Sequence, residues 1–241
     1  MRIFYVNKRL GRLLCLAAGL VLAFFVVWQF AQAHWLSQAM AGHKLLPIYE
    51  VDTQLPAVAF SFDASWGAEY TEHILDICDA YQFKTTFFLV NIWLEQYPEM
   101  AKQIAARGHE IGLHSASHPH FSQLSPSQMT EELAENAALI EEITGCRPAL
   151  FRPPYGDYND SVIQTVNACG YVPVQWSVDS LDWQDLSAEQ ICRRVTEKLS
   201  AGDIVLFHNN GLHTAEALPV IVEYALSRGL RIVPVGELLL Q

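Results

Sequence analysis

No charged side chain occurs between Leu13 and Ala33, and no acidic residue occurs before Glu50. Basic residues are scarce throughout: 15 Lys and Arg stand against 26 Asp and Glu, for a net charge of −11. A general nucleic-acid binder needs the opposite balance, so nucleic acid is excluded as a partner class. Five cysteines are too few for a disulfide scaffold. Cys78, Cys146, Cys169 and Cys192 are isolated and lie mostly in helical patterns, which predicts buried thiols rather than bridges. There is no G-x4-G-K-[ST] phosphate loop and no internal repeat, which removes the usual nucleotide-fold signals. The content of proline, glycine and apolar residues is ordinary, so disorder and collagen-like structure are excluded as well.

The charge-free run from Leu13 to Ala33 has the length and apolar character of a bilayer-spanning helix. Arg2, Lys8, Arg9 and Arg12 precede it, so the positive-inside rule keeps residues 1–12 in the cytoplasm and sends the rest of the chain outside. Ala31-Gln32-Ala33 fits a small-x-small cleavage site, which gives a second outcome, a secreted protein. The length of the run favours the uncleaved anchor. Residues 34–54 read as a connector, and the folded domain is expected over 55–241.

Beyond the connector, short apolar runs alternate with helical patterns. Strands are predicted at 58–62, 86–90, 110–114, 149–152, 171–178, 203–208 and 231–235. Helices are predicted over 71–81, 98–107, 126–144, 187–200 and 214–228, two of them opened by Ser125-Pro126 and by the capping pair Ser187 and Gln190. About seven strands alternating with helices mean an α/β fold with a parallel sheet, open or closed into a barrel.

In such folds functional residues gather at the carboxyl ends of strands. Here Asp63 follows the first strand, His114 and His118 the third, and Arg152 the fourth. Asp179 and Asp182-Trp183 follow the fifth, and His208 ends the sixth. A lone strand-end Asp is usually a helix cap, but a converging set is a site. His114-x3-His118 has the spacing of a metal-binding pair, short of its third ligand. Asp63 and His208 suit general base and general acid. Asp182 would raise the pKa of His208, and Arg152 would keep Asp63 ionised and oriented.

These stretches together resemble the polysaccharide deacetylase family, also called the NodB-homology or carbohydrate esterase family 4 domain. The matching elements are Ser61-Phe62-Asp63-Ala64, His114-Ser-Ala-Ser-His118, Arg152-Pro-Pro-Tyr155-Gly156, Asp179-Ser-Leu-Asp182-Trp183 and Leu206-Phe-His208. The resemblance implies a distorted (β/α) barrel that removes N-acetyl groups from N-acetylglucosamine-type polymers with a divalent metal, zinc first and cobalt or nickel as alternatives. It implies Asp63 as base, His114 and His118 as metal ligands, and Arg152 as the residue orienting the base. Tyr155 would offer its backbone N–H to the oxyanion, Asp182 would tune the acid His208, and Trp183 and Leu206 would wall the acetyl pocket. The stretch from Ser61 to Gly67, with the N-terminal apolar run, looks most like the sporulation-associated membrane-anchored subgroup. That suggests an endospore-forming bacterium and peptidoglycan as substrate; a monomer is expected, with the folded domain outside the cytoplasm as the N-terminal run already implies.

One position departs from the family. Its first motif ends in two aspartates, the second a metal ligand, and here that position is Ala64. Three outcomes are open: Asp63 moves to the metal, a water fills the gap, or the site is metal-poor and inactive. The chain is then either a deacetylase or a glycan-binding protein of the same fold. A metal-free glycosidase using Asp63 and Asp182 would leave the histidines without a role. Phe87, Phe88 and Trp176 lie on strand patterns and read as core, whereas Trp66 and Tyr158 in strand-end loops are candidates for stacking on sugar rings.

Overall fold

The computed structural model describes residues 44–240, together with Phe25 and Trp28, which are helical. The expected membrane helix over 13–33 and the connector up to 43 lie outside the described residues but for those two. Among the described residues no helix is long and apolar enough to cross a membrane.

The sheet is built from β1 (Ala57–Ala64), β2 (Thr86–Leu89), β3 (Glu110–Leu113), β4 (Leu150–Phe151), β5 (Val172–Pro173), β6 (Val178–Asp179), β7 (Ile204–His208) and β8 (Arg231–Val233). Seven strands run in the order β5-β4-β3-β2-β1-β7-β6, and β8 pairs with the first half of β1. Every pairing is parallel. The expected strand over 171–178 is broken into β5 and β6. Trp176 lies between them and is half-buried rather than core. The expected last strand stops at Val233, because Pro234 opens a short helix instead.

No ladder joins β5 to β6 among the described residues, so the sheet is an open half-barrel. Residues 48–50 cross this gap. Ile48 bridges Val174 and Glu50 bridges Asp203, and the Val51 N–H donates to the Gly202 carbonyl. The compact unit accordingly begins at Leu46, ahead of the expected Leu55.

The helices on the outer face are α1 (Thr71–Ala80), α2 (Asn91–Gln96), α3 (Pro98–Ala106), α4 (Pro126–Thr144), α5 (Asp160–Ala168), α6 (Ala188–Thr196) and α7 (Thr214–Ser227), whereas the short α8 (Val235–Leu239) packs Val235 and Leu238 against the inner face of the sheet. Ser125 and Gln128 form a reciprocal capping box on α4, and Gly145 ends it at φ 72°. Ser187 and Gln190 do the same for α6.

Alternation along β1 sorts its side chains into two layers. Val58, Phe60, Phe62 and Ala64 join the apolar layer beneath the helices. Phe62 stacks there on Phe87 and Phe207, with ring centroids 5.1 and 5.3 Å apart. Ala57 and Ala59 join a smaller cluster with Phe88, Val174 and Ile204 inside the barrel. Ser61 and Asp63 continue that inner face toward the carboxyl end. Polar groups are therefore buried at one end of a lumen whose other end is apolar.

Candidate active site

Asp63 sits on the last turn of the inner face of β1 and is almost fully buried. Its Oδ1 accepts a hydrogen bond from Arg152 Nη1 at 2.9 Å. Arg152 is wholly buried; its Nη2 donates to Ser61 Oγ at 2.9 Å and to the Gln175 carbonyl at 3.0 Å. The guanidinium carbon lies 4.2 Å above the Phe88 ring and 5.6 Å from the Trp176 ring. This fork fixes the guanidinium in one plane, a task lysine could not perform. Burial pushes the Asp63 pKa up, but the Arg152 charge and the nearby His114 and His208 outweigh it and leave it below the usual carboxylate value. Asp63 is a fixed, ionised carboxylate.

His208 ends β7, and its register partner on β1 is Asp63. Its Nδ1 donates to Asp182 Oδ1 at 2.8 Å, and its backbone N–H donates to Asp182 Oδ2 at 2.8 Å. Thr214 Oγ1 donates to the same Oδ2 at 2.6 Å. Desolvation alone would lower the His208 pKa, but the hydrogen bond and charge of Asp182 raise it above the ordinary histidine value. The Asp182 bond takes Nδ1, so Nε2 is the atom left to act in the cavity that His208 lines.

His114 is buried and its Nδ1 donates to the Arg152 carbonyl at 2.8 Å, which leaves Nε2 3.6 Å from Asp63 Oδ2. Burial is the main cause that keeps its imidazole neutral. His118 packs against it with ring centroids 5.1 Å apart, and burial takes its pKa down to about 4. Helix α4 holds the loop that carries both. Buried Asn136 accepts the His114 N–H at 2.9 Å and donates to the Leu89 carbonyl at 3.0 Å. One turn away, Glu132 accepts the Ala116 and Ser117 N–H groups at 2.9 and 2.8 Å.

Asp63, His114, His118 and His208 open onto one cavity of about 440 Å3, with Arg152 and Asp182 held behind them by hydrogen bonds to Asp63 and His208. Leu206, Trp183, Tyr155, Trp66, Trp176, Asp179 and Asn210 complete its walls. Tyr155 adopts φ 60° in the turn Pro154–Gly156, which aims the peptide as no ordinary helical residue would. The expected site residues Asp63, His114, His118, Arg152, Tyr155, Asp182, Trp183, Leu206 and His208 are thus brought together. Trp66 lines the cavity, whereas Tyr158 instead bonds the Tyr49 hydroxyl at 2.9 Å. Among the described residues the four cysteines Cys78, Cys146, Cys169 and Cys192 are free, and of these only Cys78 is fully buried.

The donors present do not make a complete metal site. Two neutral imidazoles and a carboxylate already held by Arg152 remain, and the Ala64 methyl lies in the apolar layer beneath the helices. Among the described residues no group of three His, Cys, Asp or Glu side chains is arranged to hold a metal ion.

Ser61, Asn136, Glu132 and Thr214 have no role assigned from the sequence, yet each hydrogen-bonds into the site. Asn136 had a signal. Met129, Leu133, Asn136 and Ile140 form the buried stripe of α4, so a polar residue occupies a core position.

Residues 50–174 match the family model for polysaccharide deacetylase. The chain is 36% identical over 193 residues to the uncharacterized protein YlxY of Bacillus subtilis, covering 80% of this chain and 60% of that protein. It is 34% identical over 196 residues to a peptidoglycan-N-acetylglucosamine deacetylase of Bacillus cereus, covering 79% of this chain and 92% of that protein. A CE4 family pseudoenzyme from Bacillus anthracis superimposes with a TM-score of 0.78 at 30% identity, over 80% of this chain and 69% of that one. A mutant of that pseudoenzyme is described as having restored enzymatic activity. On this match and on the assembled motifs, the chain belongs to the polysaccharide deacetylase family.

Proposed function

We propose that this protein is an N-deacetylase-type hydrolase directed at N-acetylated cell-wall glycan, with peptidoglycan as its substrate. The observation that carries the reading is the pair Asp63 and His208. They are register partners on neighbouring strands, each with its own buried partner, and both face one cavity. Opposed pKa shifts are what a base and an acid need in order to work at one pH.

The chemistry assigned to the chain's own groups is amide hydrolysis. Asp63 takes a proton from a water as its oxygen attacks the acetyl carbon. The Tyr155 N–H faces the resulting oxyanion. Protonated His208 gives its proton to the sugar nitrogen as the C–N bond breaks, leaving acetate and a free amine. Leu206 and Trp183 enclose the acetyl methyl. No step is assigned to a metal, because the donor set is incomplete.

A second reading rests on that same gap. With Ala64 in the third ligand position, the protein would bind glycan with turnover curtailed, and the likeness to a pseudoenzyme supports it. In both readings the apolar run over 13–33 would hold a monomeric folded unit outside the membrane, facing the wall. A sporulation role is proposed on the subgroup likeness alone. Acetate release from peptidoglycan fragments and N-acetylglucosamine oligomers, with EDTA, zinc or cobalt, separates the two. Release supports the hydrolase, and binding without release supports the glycan-binding protein.

A further inference from the structure

Gln175 lies just past β5, where the sheet opens, and is almost fully buried. A buried amide outside any strand must find its partners elsewhere. Gln175 finds them on three separate parts of the site. Its backbone N–H donates to the Ile48 carbonyl at 2.7 Å, on the segment that crosses the gap in the sheet. Its carbonyl accepts from Arg152 Nη2 at 3.0 Å, which steadies the guanidinium against Asp63. Its side-chain Nε2 donates to the Gly156 carbonyl at 3.0 Å. The crossing segment is itself fixed, because the Ile48 N–H donates to the Pro173 carbonyl at 2.9 Å. The Gln175 backbone is thereby held from both sides.

The side-chain bond reaches the turn that carries Tyr155. Tyr155 and Gly156 take φ 60° and 64°, two left-handed residues in succession. Glycine adopts that conformation freely, whereas the tyrosine Cβ opposes it. Such a residue persists only where its surroundings hold it there. The turn supplies two bonds of its own, from the Gly156 N–H to the Pro153 carbonyl at 3.1 Å and from the Asp157 N–H to the Pro154 carbonyl at 3.0 Å. The Tyr155 ring meets His118 and His120 but is 60% exposed, so ring packing is a weak anchor for the backbone. The buried anchor is on the other side. A Cβ at Gly156 would come within 2.9 Å of the Trp176 ring and 3.2 Å of Gln175 Oε1. The glycine therefore lets the Gln175 amide close directly onto the turn.

We infer that Gln175 is a positioning residue for the proposed reaction. Its side chain locks the Tyr155–Gly156 turn in the left-handed form, and its main chain ties that turn and Arg152 to residues 46–51. One buried residue then sets the oxyanion donor and steadies the arginine that orients the base. The inference rests on the hydrolase reading above for its effect on rate, and on the structure alone for its hold on the turn.

The test uses the full chain, isotope-labelled in its proline carbonyls and tyrosine nitrogens. Pro154-Tyr155 is the one Pro-Tyr pair in the sequence, so NMR reads the Tyr155 amide as a single assigned signal. Wild type, Gln175→Met and Gln175→Asn are compared, with thermal unfolding as the check on folding. Methionine keeps the length and loses the donor, whereas asparagine keeps the amide but falls one methylene short. Wild-type Tyr155 should show the strong intraresidue amide-to-α Overhauser effect of a left-handed residue, and Gln175→Met should lose it. Acetate release from N-acetylglucosamine tetramer with zinc should then fall in kcat by about tenfold to a hundredfold, with KM changed by less than about twofold. A folded Gln175→Met that keeps the Tyr155 signature overturns the inference. If that variant does not fold, an unchanged signature in Gln175→Asn overturns it. A lost signature with unchanged kcat overturns the positioning role. A wild type that releases no acetate overturns the hydrolase reading instead, and the Tyr155 signature alone then decides whether Gln175 holds the turn.

Discussion

Asp63 and His208 are Cα partners in the β1–β7 ladder, so one pair of neighbouring strands delivers the carboxylate and the imidazole to the same level of the barrel. Their separate buried partners then push them apart in proton affinity. Arg152 keeps Asp63 ionised and Asp182 favours protonated His208.

The pH dependence follows from those directions. The His208 pKa is raised, so its contribution to stability is full below the ordinary histidine value and is lost as pH rises through the folded value. The acid role proposed for His208 would be lost over the same window. The Asp63 pKa is lowered, so its contribution is present above the ordinary aspartate value and is lost as pH falls through the folded one. Asp182→Asn should move the His208 titration to lower pH. An NMR titration of His208 that does not shift in this variant would count against the assignment.

Removing the guanidinium is expected to be costly. Arg152→Met leaves a buried carboxylate without its counter-charge, a loss of about 3–5 kcal/mol. At roughly 2–4 °C per kcal/mol for a domain of this size, Tm should fall by about 6–20 °C. The double variant Arg152→Met/Asp63→Asn should recover much of it. Thermal unfolding of the three proteins checks this, and a single variant as stable as wild type contradicts it.

Asn136 holds the histidine loop from below. Asn136→Ala leaves the buried Leu89 carbonyl and His114 N–H unpaired, at about 1–3 kcal/mol for each orphaned group. Chemical denaturation should show that loss, and amide exchange at His114 should accelerate. Unchanged exchange at His114 would mean that the loop holds itself.

At Ala64 two effects are expected to oppose each other. Metal-free Ala64→Asp places a carboxylate at the end of an apolar layer and should lower Tm. Zinc should then raise the variant's Tm by about 5–10 °C at a hundredfold excess over its Kd, with a smaller shift in the wild type. Equal zinc shifts in the two proteins would show that position 64 adds no ligand.

The strand-end rule made most of the site legible in advance. Asp63, His114, Arg152, Asp182 and His208 each lie where a short apolar run stops, and the parallel sheet turns that one-dimensional pattern into a ring. What escaped was set by tertiary packing. Residues 46–51 carry no periodic pattern, yet they cross the gap between β5 and β6, bridging Val174 after β5 to Asp203 before β7, because those positions offer unpaired backbone groups. The apolar stretch around Trp176 looks like one strand, but the chain leaves the ladder there and places that ring near Arg152. Asn136 sits on a core stripe and is explained only by the His114 N–H it meets. The missing third ligand was visible at Ala64, but that its methyl packs beneath the helices followed only from the layering of β1.

The proposed N-deacetylation stands on Asp63 as base and His208 as acid. The most direct measurement is acetate release from N-acetylglucosamine tetramer by the wild type and by Ala64→Asp, each alone and combined with Asp63→Asn or His208→Gln, in the presence of zinc. Release should be faster in Ala64→Asp and should fall by at least about a hundredfold in both combinations. Release that survives Asp63→Asn and His208→Gln, or no release from either parent protein, would contradict it.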